Sequence, residues 1–90
     1  MPDLKITASG QHVYDVTMIH DSGTTTHHRV TVPEPLMAEL GLSAAQEPLL
    51  VRASLTYLQE RAPAAVPERF DLDEIGRAIP EYAEEILDRL

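Results

Sequence analysis

The segment Arg29–Arg61 constrains the fold most, because its pattern changes from strand-like to helical within a few residues. Four strand-like residues are followed by a proline pair, a short apolar stretch, a glycine and a long amphipathic stretch. Proline cannot donate to a sheet ladder and restricts the residue before it, so the strand should end at Pro33. Gly41 suits the left-handed end of a short helix. The segment therefore predicts one strand followed by two helices.

The start of the second of these helices is marked by Ser43 and Gln46, which have the spacing of a capping box. Pro48 would remove a backbone amide from a helix that was continuous from Ala44. The regular part of the helix is therefore expected to begin near Pro48.

A hairpin is predicted on the N-terminal side of this segment. Apolar and polar residues alternate from His12 to His20 and again before Pro33, with the period of half-buried strands. Asp21-Ser22-Gly23 between them suits a three-residue turn with its glycine in the left-handed region. Pairing across that turn makes partner numbers sum to 44, which places five apolar residues on one side: Tyr14, Val16, Met18, Val30 and Val32. The same register pairs Asp15 with Arg29 on the other side.

A further strand alternates around Leu4, Ile6 and Ala8, so residues 1–32 are predicted to form a three-stranded antiparallel β-meander. Residues 33–90 are predicted to form three to four helices packed on one face of that sheet. Residues 62–67 form a proline-bounded connector, Asp71 caps the helix that follows, and Pro80 should kink or restart it. The fold class is α+β, with residues 1–90 as a single domain.

Composition narrows the functional classes. The chain has no cysteine, which excludes disulfides and thiolate chemistry, and its net charge is −8. Residues 1–32 carry −1 of this charge and residues 33–90 carry −7. An acidic helical part repels phosphate backbones and attracts basic proteins, so nucleic acid is not expected as a partner. A protein partner, or a second copy in a homodimer, is expected instead, since pairing adds apolar burial to a small core.

No stretch approaches the roughly 18 apolar residues of a membrane span, and the N-terminus does not have the pattern of a signal peptide. The expected location is therefore cytoplasmic, without membrane association.

The residues that could carry chemistry do not form a recognised set. Four histidines fall on the predicted hairpin, but in the derived register they diverge, and no third metal ligand stands at a recognised spacing: His12, His20, His27 and His28. Asp21 and Ser22 beside His20 are explained by turn chemistry. Four acids of the last helix are expected to be solvated: Glu81, Glu84, Glu85 and Asp88. We therefore predict no catalytic, cofactor-binding or metal-binding residues, and a protein that is not an enzyme.

The order of elements from His27 to Arg61 resembles the ribbon-helix-helix repressors and antitoxins. In that family, two chains pair one strand each into a ribbon that enters the DNA major groove, and the second helix holds a phosphate at its N-terminus. The resemblance would make His27, Arg29 and Thr31 the base-facing side chains and would place Ser43 at the phosphate.

The C-terminal two thirds also resembles small uncharacterised bacterial proteins. The resemblance is carried by Ser54-x-x-Tyr57-Leu58-x-Glu60-Arg61-x-Pro63, by Arg69-Phe70-Asp71-Leu72 and by Pro80-Glu81-Tyr82-x-x-Glu85-Ile86. It implies no activity, but it favours Phe70 and Tyr82 as packing anchors that close the last helices onto the central one.

The expected function is a small, acidic, non-enzymatic module for protein interaction or regulation. The alternative is a DNA-binding regulator or antitoxin of the ribbon-helix-helix type. The sequence leaves open the biological process, the identity of any partner or ligand, the oligomeric state and the role of the hairpin histidines.

Overall fold

A computed structural model describes residues 3–20, 22–61 and 66–90. Its sheet has four strands in the order β1–β2–β3–β4: β1 Asp3–Gly10, β2 Val13–Ile19, β3 Thr25–Thr31 and β4 Arg69–Asp71. The first three strands are antiparallel, and β4 is parallel to β3.

The predicted register of the hairpin is confirmed. Tyr14 pairs with Val30, Val16 with His28 and Asp15 with Arg29. Gly23 has φ +88°, the left-handed conformation expected of it. The predicted position of Asp21 in the turn lies outside the described residues.

The three-stranded meander was wrong by one strand. Phe70, flanked by Arg69 and Asp71, extends the sheet beside Val30 of β3. Three residues are too few to show a strand period, and a parallel partner 40 positions away cannot be inferred from local sequence. The predicted connector that leads to β4 falls largely on residues 62–65, which lie outside the described residues.

Four helices follow the predicted breaks: α1 Glu34–Leu40, α2 Glu47–Arg61, α3 Leu72–Ala78 and α4 Tyr82–Asp88. A 3-10 turn at Ala44–Gln46 precedes α2, and the Gln46 side chain accepts a hydrogen bond from the backbone N–H of Ser43 at 3.0 Å. Asp71 caps α3 by accepting from the backbone N–H of Glu74 at 3.0 Å. Pro80 separates α3 from α4. Of the two predicted outcomes, a kink or a restart, the helix therefore restarts.

The core lies on one face of the sheet, because the inward side chains of β2 and β3 are buried while their neighbours in sequence are mostly exposed. Leu50, Val51 and Leu55 of α2 are fully buried in this core. Among the described residues, no helix has both the length and the apolar character needed to cross a lipid bilayer.

Two glycines in helical regions should respond in opposite directions to alanine. Gly41 ends α1 with φ +69°, so Gly41→Ala should lower the free energy of unfolding by about 1–2 kcal/mol, the cost of a left-handed alanine. Gly76 lies within α3, and an added Cβ would meet a ring carbon of Tyr82 at 3.8 Å, an ordinary contact. Gly76→Ala should therefore stabilise the protein by about 0.5–1 kcal/mol. Urea unfolding of both variants measures the two changes, and equal shifts would contradict the expectation.

Candidate functional site

A partly buried polar cluster joins the β1–β2 turn to the starts of α1 and α2. The Glu47 side chain, on the first turn of α2, is only 6% exposed. Its Oε1 accepts from the hydroxyl of Tyr14 at 2.8 Å, and its Oε2 accepts from Nδ1 of His12 at 2.8 Å. The other ring nitrogen of His12, Nε2, donates to Oε1 of Glu34 at 3.1 Å. Three elements far apart in the chain therefore meet at one imidazole.

The backbone of His12 is held in an unusual conformation. Its φ is +61°, in the left-handed region that residues other than glycine adopt only at a cost. Its carbonyl accepts a hydrogen bond of 2.8 Å from the backbone N–H of Val32, just after β3. The turn is therefore fixed from both its backbone and its side chain.

The electrostatics of this cluster follow from its two carboxylates. The hydrogen bond that His12 donates to Glu47 is the main cause that raises the pKa of His12 above 6.5, and Glu34 adds to it against the opposing effect of burial. Burial, and then the same Glu47, raises the pKa of Tyr14 to about 12. The two carboxylates therefore favour the protonated form of the imidazole. The phenol of Tyr14 is neutral at physiological pH.

The carboxylate–imidazole pair of Glu47 and His12 resembles the orienting half of a catalytic triad only in part. In a triad the second ring nitrogen takes a proton from a nucleophile, whereas here that nitrogen is bonded to Glu34. In the part of the chain that the structure describes, the side chain of His12 has these two carboxylates as its hydrogen-bond partners. The cluster is therefore arranged to hold a charge rather than to activate a hydroxyl.

The other histidines form a separate hydrogen-bond chain on the hairpin. Nδ1 of His28 donates to the carbonyl of Pro67 at 2.7 Å, which leaves Nε2 to accept from the hydroxyl of Thr26 at 2.9 Å. The same hydroxyl accepts from Nε2 of His20 at 3.0 Å. Within the described ranges, no three His, Asp or Glu side chains are grouped in a way that could hold a metal ion.

Of the four side chains that the ribbon-helix-helix resemblance predicts to contact DNA, three lie together on one strand and the fourth lies elsewhere. His27, Arg29 and Thr31 are exposed on the face of the sheet opposite the core. His27 and Arg29 line a cleft of about 320 Å³ together with Asp15 and Arg69. Arg29 donates to Asp15 at 3.1 Å. Ser43 lies in a different element, ahead of the 3-10 turn. Both edges of β3 are occupied, by β2 and by β4.

A tight polar and aromatic contact fixes α4 on α2. The rings of Tyr57 and Tyr82 lie 5.7 Å apart between centroids, and the hydroxyls of Ser54 and Tyr82 share a hydrogen bond of 2.6 Å. Arg61 and Arg89 each place a guanidinium over the ring of Tyr57, at 5.4 and 5.2 Å. The role of packing anchor that the second resemblance favoured for Tyr82 is thus seen in these contacts.

An exposed groove with a volume of about 480 Å³ lies along α2 and next to the C-terminal residues Arg89 and Leu90. We call it the leucine groove, and it is lined by Leu49, Arg52, Ala53, Thr56, Glu60, Arg89 and Leu90. Leu49 is 57% exposed and Leu90 is 44% exposed. Arg52 donates to the carbonyl of Leu4 at 3.3 Å, so the groove adjoins the edge strand β1. In the described part of the chain, β1 pairs with β2 alone.

Fold and site together describe a small α+β fold with a mostly antiparallel sheet, a partly buried charge cluster and an exposed groove that contains two leucines. A scan of the chain against protein-family models finds no match. Searches of curated proteins and of solved structures find no match either.

Sequence reasoning missed Glu47 and its contact with His12. A signal was present, because Glu47 stands three and four positions before Leu50 and Val51 and so shares the buried side of α2. A carboxylate in that position needs a partner within the core. What the sequence did not contain was the identity of that partner, 35 residues away.

Proposed function

We propose that this protein is a small, acidic, non-enzymatic interaction module that associates with a second copy of itself through the leucine groove and strand β1. The observation that carries the proposal is a groove with two exposed leucines whose Arg52 is hydrogen-bonded to the edge strand β1. The groove offers apolar contacts, and the strand offers backbone N–H and C=O groups. A non-enzymatic role is supported by His12, whose two ring nitrogens are both bonded to carboxylates.

The edge strand suits an identical partner. Two β1 strands related by a two-fold axis would pair antiparallel, and the same backbone groups would form the hydrogen bonds on both copies. β1 is eight residues long, which allows several hydrogen bonds between copies. A continuous sheet across the dimer would result.

Charge also favours a second copy at this surface. Two molecules of net charge −8 repel each other over most of their surface. The leucine groove instead carries Arg52 and Arg89 against Glu60, and β1 carries Lys5 against Asp3. The repulsion between copies is therefore reduced where these residues face each other.

Leu49→Lys tests the proposal. Sedimentation equilibrium of the wild-type protein should give twice the mass of one chain. Burying a charge in place of an anchor leucine should raise the dissociation constant at least about 30-fold, the effect of a 2 kcal/mol hot spot. Leu87→Lys is the matched control: it makes the same charge change at another exposed leucine, one that does not line the groove.

A wild-type protein that stays monomeric at every concentration would overturn self-association. A dimer that is equally weakened by Leu87→Lys, or unaffected by Leu49→Lys, would overturn the assigned surface. Circular dichroism of both variants separates loss of association from loss of fold.

The alternative of a ribbon-helix-helix-like regulator is favoured by one observation, the common exposed face of His27, Arg29 and Thr31. It would have to use a surface other than a β3 ribbon, because both edges of that strand are paired. Fluorescence anisotropy with random duplex DNA at low salt distinguishes the two proposals. Salt-sensitive binding that is lost in Arg29→Ala would support the regulator.

A further inference from the structure

The imidazole of His12 is held between two carboxylates from different helices. Nδ1 lies 2.8 Å from Oε2 of Glu47, and Nε2 lies 3.1 Å from Oε1 of Glu34. A neutral imidazole has one N–H and can donate to only one of these oxygens. The second nitrogen would then direct a lone pair at a carboxylate. Both contacts are hydrogen bonds only when the ring is protonated.

We propose that His12 is a proton-operated clasp that holds the β1–β2 turn to Glu34 at the start of α1, and that loss of one proton opens this contact while the buried residues of α1 keep the helix on the core. The clasp is separate from the proposed self-association, since none of its residues lines the leucine groove. No further group or cofactor is needed for it to act.

The two contacts of His12 differ in a way that determines which one opens. Glu47 is buried and also accepts from Tyr14, so its bond with Nδ1 lies in a region from which water is largely excluded. The side chain of Glu34 is 73% exposed and can be hydrated when it leaves. The proton is therefore lost from Nε2, the Glu47 bond is kept, and Glu34 turns to solvent.

The groups that face His12 come from every element that the described contacts bring to it: Tyr14 from β2, Glu34 from α1 and Glu47 from α2. The phenol of Tyr14, with its pKa raised to about 12 by burial and Glu47, stays neutral near physiological pH. The protonation change of this cluster in that range is therefore that of His12.

The sign of the pH effect follows from a pKa that the two carboxylates raise above 6.5 in the folded protein. The stability contributed by the clasp is fully present below pH 6.5, provided that the carboxylates are ionised. It is lost as the pH rises through the higher pKa of the folded state. The clasp therefore adds more to the free energy of unfolding in mild acid than at alkaline pH.

The first measurement is an NMR titration of the histidine side chains in the whole protein from pH 5 to 9. His12 should titrate above the reference value of 6.5, and both of its ring nitrogens should show the protonated ¹⁵N shift at pH 6. Glu34→Gln removes one carboxylate at an exposed position and should move the His12 midpoint to lower pH. A His12 midpoint at or below 6.5, or one that Glu34→Gln leaves unchanged, would overturn the proposal.

The second measurement is urea unfolding of His12→Asn, because asparagine tolerates the left-handed backbone of this turn. The ratio of the wild-type to the variant folding constant should fall between pH 6 and 9 by about tenfold for each unit by which the pKa of His12 exceeds 6.5. His27→Asn, the same substitution at an exposed histidine outside the clasp, is measured in parallel as the control. A ratio for His12→Asn that is constant with pH would overturn the clasp. Should His12→Asn not fold, the Glu34→Gln titration decides alone.

Discussion

Tyr57→Ala should lower the free energy of unfolding by about 3–5 kcal/mol, the usual cost of truncating a buried aromatic residue. Tyr57 is fully buried on α2, and its ring contacts Tyr82 of α4. It also lies beneath the guanidiniums of Arg61 and Arg89. Truncation therefore leaves a cavity and removes the contact that fixes α4. A domain of this size has little stability to spare, so the variant should be largely unfolded near 37 °C.

Tyr57→Phe is the matched control, because it keeps the ring and removes only the hydroxyl. The Tyr57 hydroxyl is buried and has no hydrogen-bond partner among the described residues. Its removal should therefore change stability by less than about 1 kcal/mol, in either direction. Urea unfolding followed by circular dichroism measures both variants. Similar losses in the two would mean that the hydroxyl, rather than ring packing, is what α2 requires.

Glu47→Ala should have the largest effect of any change to a charged residue, a loss of about 2–3 kcal/mol. The substitution leaves the hydroxyl of Tyr14 without its acceptor and opens a void at the start of α2. It also removes an acidic residue from the first turn of a helix, where a negative charge is favourable. The expected result is a lower urea midpoint and an unchanged slope.

Glu34→Ala provides the comparison, because Glu34 binds the same imidazole from an exposed position. Exposed ion pairs contribute little, so this variant should lose much less stability than Glu47→Ala. Equal losses would show that burial of Glu47 is not the source of its effect. Comparison of the two variants also separates the structural role of the cluster from the protonation of His12, because Glu47 binds Tyr14 as well as His12.

The two proposals use opposite sides of the same helix. Glu47 is directed into the protein, and Leu49, two residues later, is largely exposed. Variants of one site therefore leave the residues of the other in place. Association can be measured in His12→Asn, and the His12 titration can be followed in Leu49→Lys, to establish whether proton release and association are coupled.

Local structure could be predicted from the sequence where each signal acts over a few residues. The two-residue period gave the faces of β2 and β3, and the turn before Thr24 gave their register. Asp71 was predicted to cap α3 because a side-chain oxygen at that position reaches a backbone N–H only three residues on. Pro80 interrupts the helix because its ring and missing N–H are properties of the residue itself.

Contacts between distant residues could not be predicted in the same way. The addition of β4 to β3 depends on where the chain returns after α2, and its three residues have no detectable period. The bond between His12 and Glu47 joins a turn to a helix 35 positions away. The strand period correctly predicted that His27, Arg29 and Thr31 point outward. Where Ser43 lies relative to them depends on how α2 is placed over the sheet, which the sequence does not show.

The sequence by itself determined the class α+β, the three antiparallel strands, the breaks between the helices that follow them, and the hairpin register, because periodicity, proline and glycine act locally. The tertiary structure alone decided that a carboxylate on the buried side of α2 meets an imidazole held in a left-handed turn. It also decided that Leu49 and Leu90 remain exposed in a common groove. Both depend on how α2 lies across the sheet, which is set by the packing of the whole core rather than by any one segment.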